Sequence, residues 1–237
     1  MGFDRLKSGP GGRKGRYRGV NSMRAVSRKK RLPHNFGNYN ISPPSTTTIS
    51  STGTQTYTVP RRVDTLNITM YGAGAGGGLA AAGGSRGNPV NEGGGGGGGS
   101  RLVFTLNEVV SGTVLTFNVG AGGAKGTGVN TCSSNGGNTT LSYGGTDFVA
   151  GGGEGNMGGG DFPSCSDDGT GGVADCDSFG NCTGTNGNDG TAKNNNSTQA
   201  GGAALGDSAG AGGQGSSNDN LPQQDNADGD DGKVIIS

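Results

Sequence analysis

Gly72, Gly74 and Gly77 satisfy the spacing G-x-G-x-x-G directly after a strand-like run, the fingerprint of a dinucleotide site. That chemistry needs a helix next, because its N-terminal amides hold the phosphates. The next residues, Gly78 to Gly84, read Gly-Leu-Ala-Ala-Ala-Gly-Gly, too short and too glycine-rich for a helix. No Walker sequence exists, since Gly232-Lys233 runs into Val234. Asp228, Asp230 and Asp231 in "DNADGDDG" (225 to 232) are candidate calcium oxygens. An EF-hand loop requires a Glu at its twelfth position, and the chain turns into Val234 instead. The segment therefore reads as a solvated turn, as do Asp167-Asp168, Asp175 and Asp177. The only histidine, His34, sits beside Pro33, so a Ser-His-Asp set has no histidine in the body. Paired carboxylates would need a walled cleft with one carboxyl desolvated. No catalytic, cofactor-binding or metal residue is assigned, and the chain is not read as an enzyme.

Cys132, Cys165, Cys176 and Cys182 include no C-x-x-C pair. Zinc would need closer spacing. Disulfides and free thiols both stay open.

The residues that point to a partner lie at the N-terminus. Residues 1 to 31 carry eleven Lys/Arg and one acid, Asp4, while the remainder carries seven Lys/Arg and seventeen Asp/Glu. The formal net charge of zero thus hides a basic arm on an acidic body. Arg13, Lys14, Arg16, Arg18 and the run Arg28-Lys29-Lys30-Arg31 could neutralise phosphates or dock on an acidic protein surface. Tyr17 is the only aromatic in the densest cluster, a weak stacking platform. Electrostatics alone does not separate the two; the resemblance described below favours docking on protein, with nucleic acid second.

The elements that would carry these residues can be read from composition. Glycine fills 56 of 237 positions and apolar residues only 28 %, well below a typical globular domain. Residues 1–32 lack apolar periodicity and read as an extended arm. Residues 33–54 read as a Pro/Asn/Ser/Thr linker, and 55–237 as one glycine-rich β domain. Alternation marks strands at Gln55–Val59, Thr65–Tyr71, Arg101–Leu106, Val114–Val119, Thr139–Tyr143, Thr146–Ala150 and Lys233–Ile236. No window has a helical period. No stretch approaches the ~20 apolar residues of a membrane span, and no signal peptide is visible.

Glycine tracts separate the strands at 72–78, 93–99, 120–128, 151–160 and 169–215. Their backbone groups need partners. A polyproline-II-like helix has three residues per turn and no internal hydrogen bonds. With glycine at most positions, such helices can approach and bond sideways, and Gly93–Gly99 would span about 22 Å.

The order of segments resembles the glycine-rich domain of bacteriophage tail-fibre and tail-tip proteins. The resemblance runs through "GTQTYTVPRRVDTLNITMYGAGAGGG", "SRLVFTLNEVVSGTVLTFNVGAGGAKGTG", "GGNTTLSYGGTDFVAGGGEG" and the closing "DGKVIIS". It covers about 53 to 237. A similar arrangement occurs in the glycine-rich extracellular region of some receptor kinases. The insert 161–199 departs from the pattern and reads as an ordinary loop, and the basic arm matches no known attachment domain.

The resemblance implies an all-β fold: a small β-sandwich with packed polyglycine II helices. It also implies a virion structural protein at the particle surface, in a tail or baseplate fibre or tip. The arm would contact other virion proteins. Polar loops at Asp161–Thr183 and Asn186–Gln199 would contact host-surface carbohydrate or protein, in a homo-oligomer by analogy with fibre tips. The alternatives are a capsid decoration protein or head fibre, and an RNA-binding protein with an Arg/Gly-rich arm.

Overall fold

A computed structural model describes residues 45–79, 93–127, 131–155, 169–175, 180–191, 200–206, 209–215 and 226–237. The chain divides into the units Met1–Ile41 and Ser42–Ser237, and every described residue belongs to the second. The arm and most of the expected linker lie outside the described residues.

The described body has no helix. Its strands are β1 (Thr47–Ile49), β2 (Gly53–Thr58), β3 (Leu66–Tyr71), β4 (Arg101–Leu106), β5 (Val114–Val119), β6 (Thr139–Tyr143), β7 (Thr146–Ala150), β8 (Ala174–Asp175), β9 (Cys182–Thr185) and β10 (Lys233–Ile236). They form two antiparallel five-stranded sheets, ordered β1-β10-β3-β4-β9 and β2-β5-β6-β7-β8. Alternation buries one side chain in two. Leu66, Ile68 and Met70 face inward beside Leu106, Phe104 and Leu102, their cross-strand partners. Leu115, Phe117, Leu141 and Phe148 cover them from the second sheet. Phe104 stacks on Phe148 between the sheets, with centroids 4.1 Å apart and planes 8° from parallel. Each such buried side chain contributes about 1.5–3 kcal/mol. The β6–β7 turn uses Gly144 and Gly145, both at positive φ (62° and 81°), as a tight hairpin matching strand twist requires.

Three strands depart from expectation. β1 lies inside the stretch read as linker, and β8 and β9 fall in the insert read as an ordinary loop. All three are short and Thr- or Asp-bearing, and their pairing partners define them more than their own pattern does. In addition, β2 begins at Gly53, before the expected domain boundary at 55.

The glycine segments form a lattice on one end of this sandwich. Gly72, Ala75 and Gly78 donate to the carbonyls of Ser100, Gly97 and Gly94, each at 2.9 Å. Ala73 and Gly76 donate to Gly137 and Ser134, at 3.0 and 3.1 Å. Gly74 and Gly77 donate to Asp230 and Ala227, at 2.8 and 3.0 Å. Every third residue therefore addresses the same neighbour, the signature of a three-fold polyglycine II helix. The same segment accepts from Gly123 and Gly126, from Gly153 and from Gly213. Six chain segments thus surround 72–78.

Segment 93–99 is enclosed in the same way. Gly95 and Gly98 donate to Thr191 and Asn188, Gly96 and Gly99 to Gly213 and Gly210, and Gly97 to Glu154. Side chains are excluded because the neighbours are too close: a Cβ at Gly74 would meet the Ala211 carbonyl, and one at Gly77 the Gln214 carbonyl. An unpaired buried amide costs about 1–3 kcal/mol, so this dense pairing is a condition for burying so much backbone.

Candidate functional site

The sandwich fixes where the lattice begins. β3, β5, β7 and β9 run directly into glycine segments, and β4, β6, β8 and β10 are preceded by them. All these junctions lie on one end. Seen from that end, the described segments finish at Leu79, Gly93, Thr127, Thr131, Gly155, Gly169, Thr191, Ala200, Gly215 and Asn226. The eight described residues 72–79, at ~3.1 Å each, reach about 25 Å beyond the sheets. Ser45 is at the opposite pole. It precedes β1, whose Thr47 pairs with Ile236, while Ser237 bonds Asn67 at the start of β3.

The perimeter of the bundle is closed by side chains. Asp231 and Asp228 accept from the amides of Gly122 and Lys125, both at 2.8 Å. Asn138 and Asn135 accept from Gly152 and Gly155, at 2.9 and 2.8 Å. Asp189 and Asn186 accept from Gly171 and Ala174, at 2.7 and 3.1 Å. In each case two Asx residues three apart serve two amides three apart. A carboxylate or amide oxygen stands where a neighbouring carbonyl would be inside the lattice.

This corrects the reading of 225–232 as a solvated turn. Residues 226–232 are a lattice member, with Asp228 and Asp231 engaged as acceptors. The carboxyl of Asp230 is pushed above its ordinary value by burial first and by neighbouring Asp231 second. Asn226 is buried and donates to Gly77 and Gly126, at 3.1 and 2.7 Å. That tie joins three segments near the outer end.

The G-x-G-x-x-G triplet has a structural explanation. Gly72, Gly74 and Gly77 are glycines because a side chain at each would collide with a neighbouring carbonyl, and the described chain from Gly72 to Leu79 is extended. Cys132 and Cys182 are both disulfide-bonded, which decides between disulfide and thiol for those two. Among the described residues no cluster of His, Cys, Asp and Glu could hold a metal ion, and no helix is long and apolar enough to cross a membrane.

Of the expected site residues, Arg13, Lys14, Arg16, Arg18, Arg28, Lys29, Lys30 and Arg31 lie outside the described residues. The expected contact loops 161–183 and 186–199 are described at 169–175, 180–183 and 186–191. There they form lattice segments and strands. Sequence reasoning missed the Asx pairs. Their signal was present as Asx spaced by three within glycine-rich sequence.

The profile of a family described as "Glycine-rich domain" matches residues 48–237. The chain belongs to the glycine-rich domain family. That match takes in every lattice segment and all of both sheets except Thr47 at the start of β1. A search of curated proteins found no match.

Proposed function

We propose that this glycine-rich domain is a display body on the surface of a bacteriophage particle, in a tail or baseplate fibre or tip. The basic residues Arg13, Lys14, Arg16, Arg18 and Arg28–Arg31 anchor it to an acidic surface of another virion protein. The outer end of the bundle faces host-surface carbohydrate or protein. The function is binding, and no catalytic step is part of it.

One observation carries this reading. Ser45, the first described residue, lies at the pole opposite the outer end of the lattice. Ser45 and the outer end are thereby separated by the sandwich and about 25 Å of hydrogen-bonded backbone. Rigid scaffolds that carry variable outer segments are the usual platform for recognition. The motif order resembling tail-fibre domains supports the same assignment.

The test is to locate the chain in purified phage particles by antibody labelling and to map what crosslinks to residues 1–32. Labelling at the tail tip, with crosslinks to a virion protein, is the expected result. Labelling on the head would favour a capsid decoration protein or head fibre. Absence from particles, with salt-dependent RNA binding lost when 1–32 is deleted, would replace the proposal by the RNA-binding reading.

A further inference from the structure

The four edges of the two sheets are unequal. β1 has three residues, β8 two and β9 four. β2 has six, Gly53–Thr58, and borders its sheet along its whole length. Proteins protect such edges with charge, proline, bulges or short strands. Gly-Thr-Gln-Thr-Tyr-Thr carries no charge and no proline, and its register with β5 is continuous from Gly53↔Val119 to Thr58↔Val114.

The direction of its backbone groups can be fixed. Val59 donates to Thr113 and accepts from Gly112, both at 2.9 Å, so both its polar groups face the β5 side. In an antiparallel pair successive residues alternate sides. Tyr57, Gln55 and Gly53 therefore address β5, while Thr54, Thr56 and Thr58 turn both N–H and C=O to the open edge. Among the described residues nothing pairs with that edge. The side chains of the same three threonines are exposed on the sheet's outer face.

We propose that this edge is a self-association surface, taken by β2 of a second copy in antiparallel register centred on Thr56. Thr56 would pair with Thr56 of the second copy, and Thr54 with Thr58. This register joins only outward-turned groups to outward-turned groups. It also keeps every threonine on the same face, where cross-strand Thr–Thr pairs are favourable. Gln55 falls opposite Tyr57, and no like charges meet. A different peptide would need its own complementary strand, whereas the second copy already carries one. The two five-stranded sheets would become one of ten. This inference is independent of the virion reading.

The experiment is sedimentation of the full chain with Thr56→Pro and Thr56→Lys. Proline removes the outward N–H of Thr56 without removing a β2–β5 bond. Lysine sets two like charges opposite each other on the two-fold axis. The expected wild-type mass rises with concentration from 23.1 kDa toward twice that value. Both variants stay at 23.1 kDa with unchanged strand signal by circular dichroism. A wild-type chain that stays at 23.1 kDa up to millimolar concentration would overturn the proposal. So would folded variants that associate as wild type does. Thr56→Cys gives a readout that does not depend on breaking the edge. Hydrogen-bonded antiparallel partners lie at ~5.5 Å between Cα atoms, within disulfide reach. Mild oxidation should link Thr56→Cys, and not Thr116→Cys on the next strand inward, into a covalent dimer. Equal linking of the two variants counts against it.

Discussion

Ala75 donates its amide hydrogen to the carbonyl of Gly97 across 2.9 Å, joining the two most enclosed segments of the bundle. Gly97 in turn donates to Glu154, and a Cβ on Gly97 would lie only 2.0 Å from the carbonyl oxygen of Thr170. The obstacle is backbone, which cannot swing away as a side chain can. Gly97→Ala should therefore destabilise by about 3 kcal/mol or more, beyond the usual range for overpacking. Gly180→Ala, with nothing within 4 Å of its Cβ position, should stay within about 0.5 kcal/mol of wild type. Denaturant midpoints of the two variants measure the contrast. Equal midpoints would refute the lattice.

Asn226 serves two carbonyls, those of Gly77 and Gly126, from a buried position. Asn226→Ala leaves both without that donor and should cost about 1–3 kcal/mol. Asn226→Asp should be at least as damaging, because a carboxylate offers no hydrogen to either oxygen. Thermal melting of the two variants against wild type is the measurement.

Backbone bonded laterally should exchange its hydrogens slowly without belonging to any strand. The amides of Gly96, Gly97 and Gly98 all donate to carbonyls inside the bundle. Their exchange should be as slow as that of Leu102–Leu106 in β4, and no faster than global unfolding allows. Hydrogen exchange by NMR resolves these amides. Exchange of Gly96–Gly98 at free-chain rates would mean the tract is unstructured in solution.

The raised carboxyl of Asp230 sets a pH dependence with a definite sign. Its folded value lies above the ordinary 3.8, through burial and then Asp231. Between those two values the folded state binds more protons than the unfolded chain, so stability falls as pH rises through that window. Asp230→Asn should accordingly raise the melting temperature at pH 7 and leave it nearly unchanged at pH 3. The effect is small, since only part of Asp230 is withdrawn from water and solvent screens the rest. A variant stabilised at pH 3 but not at pH 7 would reverse the sign and refute the assignment.

Strands that own their burial were legible. Arg101–Leu106 and Val114–Val119 place Leu102, Phe104, Leu106, Leu115, Phe117 and Val119 on alternate positions, and alternation is a local signal. β1, β8 and β9 carry little of it and exist because β10, β7 and β4 offer ladders to pair with. The glycine tracts announced close backbone packing, but which tract meets which is a long-range property. Nothing local ties Gly74 to Asp230. The same limit hid the role of Asp228 and Asp231. As isolated residues near glycine they look like turn or cation ligands, and only the amides of Lys125 and Gly122 across the bundle give them their role.

Segments 200–206 and 209–215 belong to the lattice alone. No strand adjoins either one, yet Gly202 donates to Gly96, Gly212 to Gly202 and Gly213 to Ala75. Gly96 and Gly99 donate to Gly213 and Gly210 in return, so the column is completed by two segments that the sheets do not place. Girth and foundation thus answer to different forces: side-chain burial sets the sheets, and mutual backbone bonding alone adds these two segments to the column.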